Sequence, residues 1–121
     1  MSLFEQPGFD AFAGGLAGVT FVDQWESRVA KVGGTVFALL NIGADGVGRI
    51  VFKVAEESFE ILTAIEGVGQ APYFAKRQWV SVSSTADLPE DDVGLYIRRS
   101  HALVARGLTK KLRGALGIEV A

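Results

Sequence analysis

A single stretch decides the fold: Val29-Ala30-Lys31-Val32-Gly33-Gly34-Thr35-Val36-Phe37-Ala38-Leu39-Leu40. Two runs rich in β-branched and aromatic residues flank a Gly-Gly pair, which tolerates positive φ and so supplies a two-residue hairpin turn. We therefore predict a β-hairpin whose second strand runs from Thr35 to Ile42. Its first strand is predicted to span residues 19–32 with a bulge, because the apolar phase flips midway.

Outward from this hairpin, hydrophobic periodicity predicts two further strands and four helices. The strands are Arg49 to Val54 and Lys76 to Ser83; the helices are Phe9 to Leu16, Glu56 to about Ile65, Pro89 to about Arg106, and Thr109 to Leu116. Residues 67–72 are predicted to be a loop. The predicted fold class is α+β, an antiparallel sheet of about four or more strands with helices packed on one face in a two-layer sandwich.

Length and composition restrict the protein class. The chain has 121 residues, 49% of them hydrophobic and 21% charged, with no cysteine. These values predict one globular domain over residues 1–121 and exclude disulfides, thiolate metal sites and a thiol nucleophile. The longest apolar run, Val36 to Leu40, is far short of a membrane span. The first cation is Arg28, which does not fit a secretory signal, so we expect a cytoplasmic protein.

Several segments resemble the MmcQ/YjbR family, small bacterial proteins described as having a double-wing motif and a fold related to the frataxin-like CyaY. The matching segments are the region of Trp25 with residues 29–34, Phe37 to Leu40, Arg49 to Val54, Ala71 to Val82, and Leu88-Pro89. The resemblance implies an α+β fold and a DNA-binding role. Two positions depart from the family pattern: Ala55 replaces an acidic helix cap, and His101 replaces an aromatic residue.

Catalytic and metal-binding residues are scarce. His101 is the only histidine, and there is no Gly-x-Ser-x-Gly motif. The acidic groups Glu56-Glu57 and Glu90-Asp91-Asp92 fall in predicted first turns, where they offset the helix dipole. We therefore expect no enzyme activity, no metal and no cofactor. An enzyme would remain an alternative if Tyr73, Lys76 and His101 converged in a deep pocket.

Strand parity defines two faces of the sheet. If Ile50, Phe52, Val54, Val80 and Val82 face the helices, then Arg49, Val51, Lys53, Arg77, Trp79 and Ser81 face outward. The second hairpin strand presents outward either Phe37 and Leu39 or Val36, Ala38 and Leu40. An outward Trp79 among cations is typical of surfaces that stack single-stranded bases. Alternatively, Trp79 packs beneath the loop of residues 67–75, or the face is a dimer contact.

Charge is divided unevenly along the chain. Residues 1–70 hold 4 cations and 9 acids, whereas residues 71–121 hold 8 cations and 5 acids. No acid occurs from Val93 to Ile118. A basic face on the last long helix is predicted, and such a face binds phosphates or is merely solvated. The candidate nucleic-acid or partner contacts are Lys53, Lys76, Arg77, Trp79, Arg98, Arg99, Arg106, Lys110 and Lys111.

Two function hypotheses follow. The first is a small cytoplasmic binding protein that contacts DNA weakly, in a salt-dependent manner and with low specificity, through the basic helix and the outward sheet face. The alternative is a protein-interaction or regulatory domain that binds an acidic protein partner and no nucleic acid. The sequence leaves the oligomeric state open, although we favour a monomer.

Overall fold

The computed structural model describes residues 2–118 and contains one antiparallel sheet with four helices. The helices are α1 (Gln6–Ala13), α2 (Glu56–Thr63), α3 (Glu90–Arg106) and α4 (Lys110–Ala115). The strands are β1 (Val19–Gln24), β2 (Ser27–Val32), β3 (Thr35–Ile42), β4 (Gly48–Lys53), β5 (Val68–Gln70) and β6 (Trp79–Ser83), in the order β1-β2-β3-β4-β6-β5. The predicted α+β class is confirmed.

The predicted domain spans residues 1–121, whose ends, residue 1 and residues 119–121, lie outside the described residues. None of the helices in the described part has the length and apolar character needed to cross a membrane.

The predicted hairpin at Gly33-Gly34 is confirmed, and both glycines have positive φ, 57° and 80°. The prediction of one bulged strand over residues 19–32 is wrong. The chain reverses at Trp25-Glu26, both at positive φ, so β1 and β2 form a second hairpin that pairs from Gln24 with Ser27 to Val19 with Val32. The apolar phase flips because the strand turns back on itself. The segment Val68–Gln70, predicted as loop, is an edge strand beside β6.

A β-bulge lies in β3, not in the strand where we expected one. Ala30 is opposite Ala38 whereas Lys31 is opposite Val36, so Phe37 is the extra residue. Phe37, Ala38 and Leu40 therefore belong to the inner core, while Val36 and Leu39 face outward. Neither parity set predicted for this strand is correct, because the bulge shifts the alternation by one residue.

Ser100 of α3 hydrogen-bonds to the backbone beside this bulge. Its hydroxyl donates to the Phe37 carbonyl over 2.6 Å and accepts from the Lys53 amide over 2.9 Å. The ladder between β3 and β4 ends at the pair Ala38–Phe52, one residue short of Phe37 and Lys53. The fully buried serine supplies the partners that these two backbone groups need. The hydroxyl thus joins α3 to both central strands.

The helices cover the inner face of the sheet. Ile50, Phe52, Val54, Val80 and Val82 are buried in this core, as parity predicted. On α3 the buried positions include Val93, Ile97, Ser100 and Val104, which form one stripe along the helix at helical spacing. Burial of each large apolar side chain contributes roughly 1.5–3 kcal/mol, so this face provides most of the driving force for folding.

Candidate functional site

A groove between α2 and α3 brings together three of the predicted contacts. A depression of about 270 Å³ is lined by Lys53 at the end of β4 and by Arg99 and Arg106 on one face of α3. Lys53 thus lies beside a helix, and not on the outward face where strand parity placed it. Ala55, Ser58 and Tyr96 also line this depression. We call this depression the basic groove.

The basic groove is electropositive because its cations lack counter-charges. None of the described residues that line it is acidic. Within residues 2–118, the ion pairs involve Arg28, Arg49 and Arg77, and none involves Lys53, Arg99 or Arg106. Unpaired cations that share one concave surface attract an anion more strongly than cations that are already neutralised.

Arg99 is held in place by an aromatic stack. Its guanidinium carbon lies 5.2 Å from the centre of the Tyr96 ring, in a cation–π contact. The Tyr96 ring in turn stacks on Phe52 of the core, with 6.0 Å between ring centres and 10° between planes. The positive charge is therefore displayed from a rigid support, which lowers the entropy cost of binding.

The beginning of α2 adds a weaker positive contribution. Its N-cap residue is Ala55, which has no side-chain acceptor for the first N–H groups of the helix. Glu56 and Glu57 in the first turn are exposed and offset the helix dipole in part. The contribution of the three cations therefore dominates the charge of the basic groove.

The other predicted cations do not line this groove. Arg77 precedes β6 and pairs with α2, so its predicted outward position on a strand is wrong. It donates to Glu60 over 2.7 Å, and this hydrogen bond raises the pKa of Arg77 above its ordinary value. Arg98 lies over the Phe12 ring at 5.2 Å, on the α1 side of α3, in a depression that Glu90 and Asp91 also line. Three exposed lysines stand elsewhere: Lys76 in the loop before β6, and Lys110 and Lys111 on α4.

Trp79 is half-buried on the outer face of the sheet. Its ring centre is 4.7 Å from that of Phe74, and both rings pack on a small cluster formed by Val29, Leu39, Val51 and Ala71. This is the packing alternative given above, in which a loop covers the tryptophan. Trp79 is therefore not an open stacking surface.

His101 is a packing residue of the core. Its Nε2 lies 2.8 Å from the Ala17 carbonyl oxygen, and its ring meets Phe37 edge-on at 5.2 Å. In this position the imidazole fills the place of an aromatic side chain. Tyr73 lies on the outer side of the sheet, so Tyr73, Lys76 and His101 do not converge. Residues 2–118 contain no group of three or more His, Asp or Glu side chains placed to hold a metal ion.

Tyr96, Ala55 and Ser58 were not among the residues predicted from the sequence. The position of Tyr96 three residues before Arg99 was a usable signal, because residues at this spacing are neighbours on a helix. The approach of Ala55 and Ser58 to α3 depends on how two distant helices pack, and no local pattern encodes it.

Comparison with known proteins places the chain in a family. The YjbR family model matches residues 14–103. A Deinococcus radiodurans protein, DR2400, described as a DUF419 domain, is similar in structure, with a TM-score of 0.83, 26% identity, and coverage of 94% of this chain and 88% of that one. A protein from Pseudomonas syringae has a TM-score of 0.66 at 22% identity and covers 79% of this chain and 95% of its own length. No curated protein matches. The match spans most of the sequence and confirms the resemblance noted above; the chain belongs to the YjbR family.

Proposed function

We propose that this protein binds nucleic acid with low sequence specificity through the basic groove. The convergence of Lys53, Arg99 and Arg106 carries the proposal, together with the fact that no acid occurs among the lining residues that the structure describes. Phosphate oxygens are the natural partners of such cations, and backbone contacts carry no sequence information. The proposal gives the chain a binding role and no catalytic one.

The size of the groove limits the footprint. Three cations contact about three phosphates, which is few for a stable duplex complex. Arg98, Lys110 and Lys111 are exposed and would extend the contact only if the strand continued past the groove. We therefore expect weak binding that strengthens steeply as the salt concentration falls.

Fluorescence anisotropy with labelled single- and double-stranded oligonucleotides at two salt concentrations tests the proposal. Arg99→Ala should weaken binding and reduce the slope of log K against log salt by about 1, as expected for one lost phosphate contact. Arg77→Ala is the matched control, because it removes the same charge from an exposed arginine that Glu60 already neutralises. Absence of binding at low salt, or equal losses in both variants, would contradict the proposal.

An acidic protein segment is the second candidate ligand. The short groove favours it, since three cations suit a few carboxylates as well as a few phosphates. Competition separates the two candidates: poly-glutamate and an unlabelled oligonucleotide of equal charge are each titrated against the labelled oligonucleotide. Stronger displacement by poly-glutamate would favour the protein partner.

A further inference from the structure

The outer face of the sheet carries a second groove. It has a volume of about 540 Å³, within the range of small-molecule sites, and shares no lining residue with the basic groove. Two aromatic residues on its lining are exposed, Trp25 by 60% and Tyr73 by 106%. We call it the aromatic groove, lined by Trp25, Leu39, Asn41, Val51, Tyr73 and Ser81 among others.

Both exposed aromatic residues have a disfavoured backbone conformation. Trp25 has φ of 54° and Tyr73 has φ of 68°, a region in which a Cβ is sterically unfavourable and glycine or asparagine is preferred. Packing does not offset this cost, because within residues 2–118 neither ring stacks on another ring or makes a hydrogen bond. Among residues 2–118, two other non-glycine residues have positive φ. Glu26, at 57°, completes the two-residue turn that holds Trp25, and Arg77, at 65°, has a side chain that pairs with Glu60. Backbone strain that packing contacts do not compensate is typical of functional positions.

The floor of the aromatic groove is apolar with a polar margin. Leu39 and Val51 are 5% and 6% exposed. The side-chain nitrogen of Asn41 donates to the Glu26 carbonyl and to the Ser27 hydroxyl. Its Oδ1 accepts no hydrogen bond from the described residues and can therefore accept one from a ligand. The hydroxyl of Ser81 also has no partner in the described part of the chain.

The charge of the aromatic groove favours a ring over a phosphate. Arg49 is the only cation among the described residues that line it, and Asp45 neutralises Arg49 with a contact of 2.9 Å. The ligand is therefore recognised by its flat apolar faces and its polar edge. Stacking on tryptophan and tyrosine suits the faces, and an acceptor beside a hydroxyl suits an edge that carries amino and ring-nitrogen groups.

We propose that the aromatic groove binds the planar heteroaromatic ring of a nucleobase, stacked on Trp25 and Tyr73 with its edge at Asn41 and Ser81. The ring belongs either to a free nucleotide or to a single strand. The inference goes beyond the function proposed above, because it requires no contact with the basic groove.

Intrinsic fluorescence tests this proposal. The chain has two tryptophans, so Trp79→Phe leaves Trp25 as the sole reporter. This variant is titrated with nucleoside 5′-monophosphates, with ribose 5-phosphate, and with a short oligothymidylate. We expect a saturable change with the base-bearing probes and none with ribose 5-phosphate. A response to monophosphates identifies free nucleotides as sufficient; a response to the oligonucleotide alone identifies a strand as the source of the ring.

Tyr73→Gly in the same background distinguishes binding from folding. Glycine accepts the positive φ, so the melting temperature should not fall, while affinity should fall about tenfold through loss of one stack. Arg99→Ala, a change in the basic groove, should leave the monophosphate response unchanged even if oligonucleotide binding there fails. The proposal is overturned if no base-bearing probe alters the fluorescence, if ribose 5-phosphate acts equally, or if Tyr73→Gly binds as the parent does.

Discussion

Ser100 shows how one hydroxyl connects a bulge in the sheet to the helix that covers it. Its oxygen accepts from the Lys53 amide and donates to the Phe37 carbonyl at once, in a side chain that is fully buried. The same bond holds the backbone of Lys53 beside α3. A residue that looks like part of an apolar stripe thus supports the basic groove as well as the core.

Ser100→Ala should destabilise the protein by about 1–3 kcal/mol, since it leaves a buried N–H and a buried C=O without partners. Urea unfolding followed by circular dichroism measures the change. Ser81→Ala is the control, because that hydroxyl makes no hydrogen bond among residues 2–118, and its cost should stay below about 0.5 kcal/mol. Equal losses in the two variants would show that Ser100 contributes only its volume.

Asp45 makes stability depend on pH in the acid range. Its hydrogen bond to Arg49, helped by the Val47 amide, lowers the pKa of Asp45 from 3.8 to about 2. A carboxyl whose pKa is lower in the folded state stabilises the protein above the unfolded pKa, and this contribution is lost as pH falls through the folded pKa. The contribution of Asp45 is therefore complete above about pH 4 and gone below about pH 2.

Unfolding midpoints in urea at pH 5 and pH 2 should thus differ less in Asp45→Asn than in the parent. The effect is small, because the pair is exposed and solvent screens it. Asp87→Asn, a change at a carboxyl that is not in an ion pair in the described part, should retain the parent's pH dependence. An unchanged pH dependence in Asp45→Asn would rule out this role.

At the level of secondary-structure elements, substitutions at the beginning of α2 can change stability and binding independently. Ala55 caps the helix poorly and also lines the basic groove. Asparagine and aspartate cap helices equally well, and replacing alanine by either should stabilise the protein by about 1 kcal/mol. Only aspartate adds a negative charge to the groove.

Ala55→Asp should therefore weaken oligonucleotide binding several-fold, whereas Ala55→Asn should leave it close to the parent value. Thermal unfolding and anisotropy at low salt, performed on both variants, check the two expectations together. Should Ala55→Asn lose binding to the same degree, the groove would depend on the open N–H groups of α2 or on its shape, and not on charge.

Features that depend on residues close together in the sequence could be predicted, and features that depend on distant residues could not. The Gly33-Gly34 turn was foreseeable because both residues favour positive φ, and the α3 stripe because its spacing is helical. The Trp25-Glu26 turn was missed, since neither residue is one that such turns prefer. The bulge at Phe37 was missed because its hydrogen-bond partner, Ser100, lies 63 positions away.

The candidate site also contains residues that the sequence placed correctly and residues whose positions depend on distant packing. Arg99 and Arg106 were placed together on α3 by periodicity alone. Their meeting with Lys53 depends on the packing of α3 against the end of β4, which no local pattern encodes. Trp79 was assigned correctly to the outer face, yet the residue that covers it, Phe74, belongs to an irregular loop whose path periodicity does not predict.

At the scale of the whole molecule, stability is concentrated at the centre of the sheet. Strands β3 and β4 are flanked by neighbours on both sides and carry α3 on the inner face, whereas β1 and the three-residue β5 are edges. Helix α4 has no buried residue. Local openings should therefore release the edges and α4 while the centre stays closed.

Native-state hydrogen exchange should show this order. Amides of β3, β4 and the middle of α3 are expected to exchange only through global unfolding, whereas those of β5 and α4 exchange by low-energy local opening. In Ser100→Ala the Lys53 amide should lose protection by more than the global change in stability accounts for, because its acceptor is removed. Uniform protection across edge and central strands would instead mean that the sheet opens as one unit, with α3 and the basic groove lost together with β5.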